Sequence, residues 1–331
     1  MDNHILSSEF IPVHQPVQSF SIEQEDLVHK SFIKGNTVAI SYNEIKHKHP
    51  IPVFAKDNEP TISHTDFVDA VFDASSYVYG DGNVAAPQMR VSHPIKGRIP
   101  SAKFKSASEL YEHEKTLYYE RMMFVMDIPC NFDVIDGNHL SLMVGGVKSY
   151  HLDNLYSKKG VDEHFKVFVG FKNAVCTNLC LTTDGLATDI KVKDPRQLRD
   201  AVCELLTRYN DMEHLNRMKQ LSQLHITENQ FAQLLGRCKL YQFLSTKQKQ
   251  EIPEFLYGDQ QLNTVCKNYY GDPSFSCNED GSINLWKVFN LFTGACKSTY
   301  IDQYLERSVN AFDIVHEVQH ALNGGKSWFL Q

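Results

Sequence analysis

The chain has 331 residues, 42% hydrophobic and 22% charged, with a net charge of -7. That length supports two compact domains, or one large domain with an arm, and the composition is that of an ordinary globular protein. The totals exclude a uniformly cationic surface; no run of about 18 apolar residues offers a transmembrane helix, and the opening MDNHILSSEF lacks the basic-then-apolar layout of a signal peptide.

Residues 1–35 read as a flexible acidic arm, with Glu9, Glu23, Glu25 and Asp26 among scattered apolar residues and Pro12 and Pro16. Thr37 to Tyr42 reads as a strand, and Pro50, Pro52 and Pro60 punctuate a loop. Ser63 to Phe72 predicts a short helix capped at Ser63 or Thr65, with Phe67, Val68, Val71 and Phe72 on its apolar face. A strand through Met89 to Ile99 is expected to break at Pro94, and a short helix is expected over Ser108 to Lys115. Tyr118 to Ile128 and Phe165 to Phe171 are strand-like runs. The clearest hairpin signal is Asn131 to Val147 about Asp136-Gly137, because Asp-Gly tolerates the positive φ angles of a tight turn. Thr183-Asp184-Gly185 suggests a second hairpin between Val175–Thr182 and Ala187–Val192. Short antiparallel connections of this kind predict a meander rather than parallel crossovers.

From Pro195 the hydrophobic period becomes helical. One helix is expected from Pro195 to about Gln223, and a second after the capping box Thr227 to Gln230. A third is expected near Asp259 to Tyr270, followed by a polar loop to Ser282. Ser282 and Ser308 are the expected caps of two more, the last stopping at Gly324-Gly325. The expected fold class is therefore α+β: an antiparallel β-meander domain over residues 36–193, an all-helical C-terminal domain over 194–331, and the arm.

Three stretches bear on function. His316-Glu317-Val318-Gln319-His320 matches the zinc-hydrolase pattern, in which two imidazoles on one helical face bind the metal and Glu317 acts as base. Against it, Ala321 to Gln331 contains no further Asp, Glu, His or Cys. The apolar stripe Ala311, Ile314, Val315, Val318 and Leu322 also leaves Asp313, His316, Glu317 and His320 on a solvated face, and Asp313 or Glu306, as an upstream third ligand, follows no known order. The second stretch is basic. Residues 191–250 hold eleven Lys and Arg against six Asp and Glu, with Tyr209, Tyr241 and Phe243 among them. Arg196, Arg199, Arg208, Arg217, Lys219, Arg237 and Lys239 are thus candidate contacts to single-stranded nucleic acid, through phosphate neutralisation and base stacking. The alternative is the charged outer face of amphipathic helices. The third, Val144-Gly145-Gly146-Val147-Lys148-Ser149, lacks the outer spacing of a phosphate loop and reads as a glycine bulge in a strand. The eight cysteines read as reduced thiols, with no Cys-x-x-Cys pair and no completed metal set around Cys176 and Cys180.

Leu142 to Tyr150, Phe168 to Cys180, and Asn290 to Asp302 with Leu305 to Asn310 together resemble an uncharacterised phage/plasmid-like protein family, carried on bacterial plasmids, prophages and integrative elements. The likeness covers about residues 80–331 and implies a setting in mobile DNA but no catalytic residues. The β-meander joined to helices also has the broad layout of single-strand-annealing recombinases, an analogy of fold that does not decide function. The expectation is a cytoplasmic, non-catalytic accessory protein of a mobile genetic element that binds or anneals single-stranded DNA, without a cofactor and able to form oligomers. The alternatives are a counter-defence factor that docks a host protein through its acidic surface, and a zinc-dependent hydrolase.

Overall fold

In the computed structural model, which describes residues 31–53, 62–150 and 162–330, the first half builds one antiparallel sheet. Its strands are β1 (Val38–Ile40), β2 (Ile51–Pro52), β3 (Gln88–Arg98), β4 (Lys115–Ile135), β5 (Asn138–Ser149), β6 (Glu163–Asn173), β7 (Leu179–Cys180) and β8 (Leu186–Val192). The order is β1-β3-β4-β5-β6-β7, with β2 also on β3 and β8 also on β6. Helices α1 (Tyr42–Lys48) and α2 (His64–Tyr79) interrupt the first strands. The second half is helical: α3 (Pro195–Arg208), α4 (Asp211–Gln223), α5 (Glu228–Tyr241), α6 (Thr246–Gln250), α7 (Asp259–Gly271), α8 (Leu285–Cys296) and α9 (Ile301–Leu322). Only the two-residue strands β9 (His225–Ile226) and β10 (Ile283–Asn284), paired with each other, interrupt it. The α+β class with a helical C-terminal region is as expected. The change at residue 194 is one of secondary structure within a single compact unit, Phe32–Gln331.

The expected Asp-Gly hairpin joins β4 to β5. Ile135 faces Asn138, and Asp136 and Gly137 both take positive φ, 49° and 73°. Further along β4 the pairing shifts between Ile128 and Phe132. The extra residues begin with Pro129, which has no N–H to give a ladder. Gly145 and Gly146, expected in a bulge, lie instead in regular pairing opposite Val125 and Phe124. A Cβ on Gly146 would sit 2.3 Å from Phe67 Cζ, and one on Gly145 would sit 2.3 Å from the Phe124 carbonyl oxygen. The glycines are there because aromatic rings and backbone press on the middle of β5, not because the strand bulges.

Neighbouring strand positions point to opposite faces, and this places the helices. Phe67 of α2 packs on Phe124 and Phe165 on one face. Arg121 and Lys166, on the other face, hold α9: Arg121 Nη1 lies 3.0 Å from Asp302 Oδ1, and Lys166 Nζ donates to the Asp302 carbonyl at 2.8 Å and pairs with Glu306. The sheet is thus sandwiched between α2 and α9.

Several expectations yield to tertiary or local bonding. β3 runs unbroken past Pro94, which pairs with Tyr119. On its other side Pro94 falls between the stretches of β3 paired to β1 and to β2, where no donor is required. Ser108 to Lys115 is not one helix but two 3-10 turns, Ala107–Glu109 and Glu112–Glu114. Glu109 and Glu114 each turn back to accept from the N–H three residues earlier, so the chain closes into turns instead of extending. The second hairpin does not form. β7 and β8 both pair with β6, end to end, and Gly185 between them lies where a Cβ would strike the Val169 carbonyl. The helix from Pro195 breaks at Tyr209-Asn210, where Asn210 caps α4 by accepting from Glu213 N at 3.0 Å. Asn284, not Ser282, caps α8. Ser308 lies inside α9, its hydroxyl donating to the Tyr304 carbonyl. α2 extends to Tyr79, and Phe72 falls on its outer face. The expected arm lies outside the described residues up to residue 30. At its end Phe32 and Ile33 are buried, and Lys34 N and Gly35 N both donate to the Lys297 carbonyl.

Sheet and helices meet at a buried polar joint. α8 is apolar nearly all round, with Trp286, Phe289 and Phe292 fully buried. Its one amide, Asn290, accepts from Asn173 Nδ2 at 3.3 Å through its side chain and from Asn178 Nδ2 at 3.0 Å through its carbonyl. Lys297 reaches the Cys176 carbonyl and Thr177 Oγ1, and Thr177 sits at φ 57°. These residues fall within the stretches Phe168 to Cys180 and Asn290 to Asp302 that carry the family resemblance.

Two predictions follow from the core. Gly146→Ala should destabilise by about 1–3 kcal/mol and Gly145→Ala by more, because Phe67 can shift and the Phe124 carbonyl cannot; urea unfolding midpoints measure both. The second concerns His64 and His214, both buried, each with one ring nitrogen lacking a partner among the described residues. Burial pushes each imidazole down to about 3 from 6.5. Below pH 6.5 the unfolded chain therefore binds protons that the folded chain refuses, and stability falls as the pH drops. At pH 5 the loss is on the order of 2 kcal/mol per histidine. An unfolding midpoint equal at pH 7.5 and pH 5 would refute this.

Candidate functional site

α9 builds the better-enclosed of two cavities. Glu306, Val309, Asn310, Asp313, His316 and Glu317 recur at the three-to-four-residue interval of one helical face. Opposite them lie Leu186 and the extended segment Pro253 to Leu256, and the space between is about 450 Å³. Asn310 fixes that segment as a backbone strand would: its Oδ1 accepts from Leu256 N and its Nδ2 donates to the Glu254 carbonyl, both at 2.9 Å. Arg307 Nε donates to the Leu256 carbonyl at 2.8 Å, so both ends of the wall are held.

Four carboxylates, Glu254, Glu306, Asp313 and Glu317, face this space, with His316 beside them. Lys166 neutralises one oxygen of Glu306; the other is buried without a hydrogen-bond partner among the described residues. Asp313 keeps some exposed surface at the mouth. Its carboxyl is nonetheless held above the usual carboxylate range, first by loss of hydration and then by repulsion from Glu317 and Glu254, with His316 pulling the other way. The apolar wall of Leu186, Pro253, Leu256 and Val309 completes a site suited to an alkyl chain ending in a cation.

The zinc pattern is divided by this geometry. His316 lines the cavity and stacks on Phe312. His320 lies against the chain beyond the helix, where a Cβ on Gly325 would meet its ring at 2.1 Å. Among the described residues no group of three or more His, Cys, Asp or Glu is placed to hold a metal ion.

Of the seven candidate nucleic-acid contacts, five are engaged within the fold. Arg217 pairs with Asp184 at 2.6 Å and Glu213 at 3.3 Å, Lys219 with Asp133 at 2.6 Å, and Lys239 with Asp259 at 2.6 Å. Arg237 lies over the Trp328 ring, and Arg199 lies over Tyr77 and 3.6 Å from Asp200. Arg196 and Arg208 are exposed, with no ion pair among the described residues. Of the aromatic residues between them, Tyr241 is buried and Tyr209 is bonded to His214, which leaves Phe243 open. The sequence places Asp313 on one polar stripe with His316 and Glu317 and offers Asp313 or Glu306 as an upstream ligand, but it does not join Glu254 and Asn310 to them. The recurrence along α9 was legible, but the approach of Pro253 to Leu256 was not.

Asp313→Asn tests the electrostatics. The folded chain favours the protonated carboxyl, so stability is lost as pH rises through the raised pKa, and the amide removes that loss. The variant should melt a few degrees higher at pH 7 and no differently at pH 3; an equal or lower melting point at pH 7 would contradict the assigned repulsion.

No helix among the described residues is long and apolar enough to cross a membrane. A family model described as "Domain of unknown function, B. Theta Gene description (DUF3871)" matches residues 21–330. No curated protein and no solved structure matches the chain.

Proposed function

The chain belongs to the DUF3871 family, and we propose that it is a non-catalytic binding protein whose α9 cavity receives a lysine or arginine side chain of a partner protein. The observation that carries this reading is the cavity itself: four carboxylates around an apolar wall, with one carboxylate oxygen buried and without a hydrogen-bond partner among the described residues. A guanidinium or ammonium entering there would satisfy that oxygen and relieve the repulsion at Asp313, while its alkyl stem covers Leu256 and Val309. At the α9 cavity the carboxylates favour a cationic side chain of a protein over nucleic acid, and Arg217, Lys219 and Lys239 would have to break their ion pairs within the fold before they neutralised phosphates. The setting on a mobile genetic element, implied by the likeness to phage/plasmid-like proteins, belongs to the same proposal, as does a role against host defence.

The reading is tested with the full chain and a short peptide rich in arginine and lysine, against a scrambled acidic peptide, by calorimetry across a salt series. The basic peptide should bind saturably and weaken with salt. Asp313→Asn combined with Glu317→Gln should lower its affinity about tenfold or more. Affinity should also fall on acidification, beginning at a higher pH than an ordinary aspartate would impose. No saturable binding, or equal binding by the double variant, would remove the proposal.

A further inference from the structure

A second cavity, of about 570 Å³, opens where α2 ends beside α3, between Phe72, Asp73, Ser76, Tyr77, Asp81 and Arg199. The core face of α2 is made by Phe67, Val68, Val71, Ala74 and Ser75. Phe72, Asp73, Ser76 and Tyr77 make the opposite face, which in an amphipathic helix should be polar. Instead it shows two large aromatic side chains to solvent, Tyr77 with 74% of its surface exposed. Arg199 lies 5.4 Å from the Tyr77 ring centroid and steadies the ring at the cavity edge.

The polar groups around the ring divide by kind. Asp73 and Asp81 make no ion pair among the described residues, and Gly80, at φ 95°, ends α2 between them. Both carboxylates accept hydrogen bonds, the Ser76 and Tyr77 hydroxyls between them can accept or donate, and this side lies at the negative end of the helix dipole. On the α3 side the cavity is lined by Arg199, and the exposed Arg196, three residues earlier and without an ion pair among the described residues, adds positive charge. A ligand that matches must be flat, must carry adjacent N–H donors at one edge, and must carry negative charge away from that edge.

We infer that this cavity binds a nucleobase with adjacent N–H donors, guanine above all, stacked on Tyr77, with the attached phosphate toward Arg196 and Arg199. Guanine presents N1–H and the N2 amino group side by side, which one carboxylate can accept together, while uracil has a single ring N–H. The base can come from a free nucleotide or from a single strand, since both offer the same ring and phosphate. The site shares no residue with the α9 cavity, so either can fail without the other.

The experiment uses the full chain with guanosine monophosphate, uridine monophosphate, and single-stranded thymidine oligonucleotides with and without a central guanine, followed by calorimetry at low salt. The expected result is saturable binding that favours guanine in at least one of the two forms. Binding of the mononucleotide assigns a free nucleotide; binding of the guanine-bearing strand alone assigns a strand. Tyr77→Ala should weaken it roughly tenfold, and Arg196→Ala should reduce its salt dependence. Asp73→Asn with Asp81→Asn should abolish the preference for guanine over uracil. All these side chains reach solvent, and an unchanged melting temperature will show that the variants are folded. Absence of saturable binding in both forms, binding that Tyr77→Ala leaves unchanged, or equal affinity for guanine and uracil would overturn the inference.

Discussion

The buried joint between Asn173, Asn178 and Asn290 is the contact on which the rest of this fold depends. An amide withdrawn from water must find its partners inside, and those partners lie on both sides of the change from strand to helix. The bonds specify where α8 crosses the end of β6, because shifting the helix by one residue would take the Asn290 acceptors away from Asn173 and Asn178. With α8 located, α7 and α9 pack on it, and the turn between α8 and α9 offers the Lys297 carbonyl to Lys34 and Gly35. The positive φ of Thr177, costly for a β-branched residue, fits the same account: the turn after β6 is held by Lys297 from one side and by Asn173 and Asn178 from within.

α9 carries both the clamp and the cavity. Its first turns are tied to the sheet through Arg121–Asp302 and Lys166–Glu306, and its later turns present Asp313, His316 and Glu317. Glu306 belongs to both, with one oxygen on Lys166 and the other buried without a hydrogen-bond partner among the described residues. Asp313 holds its proton more tightly, first because its carboxyl has lost hydration and then because Glu317 and Glu254 repel its charge. A guest cation would offer a second means of relief, which is why the geometry favours a positively charged ligand.

Much was legible in the residues themselves. Asp136-Gly137 announced its hairpin, because few pairs accept two successive positive φ angles. Thr227 to Gln230 announced its capping box, and Gly324 its helix end. The reading went astray where one residue type serves two purposes. Gly185 and Gly145-Gly146 have the composition of a turn or bulge, yet they are glycines because another chain segment or an aromatic ring lies too close for a Cβ. Ser308 has the character of a cap, yet its hydroxyl bonds back within the helix.

Sequence alone determined the α+β class, the order of the main elements, and the solvated face of α9, because these follow from hydrophobic period and turn chemistry over a few neighbouring residues. Tertiary structure decided what the charged residues do. The cations of α4 and α5 read as a free basic surface until the fold brought Asp184, Asp133 and Asp259 to them across 20 to 86 residues of chain. The carboxylates of α9 read as an ordinary polar face until the fold set Glu254 and the segment Pro253 to Leu256 opposite them. A charge acts over ångströms in space, and no periodicity along the chain records which distant residue will stand within that reach.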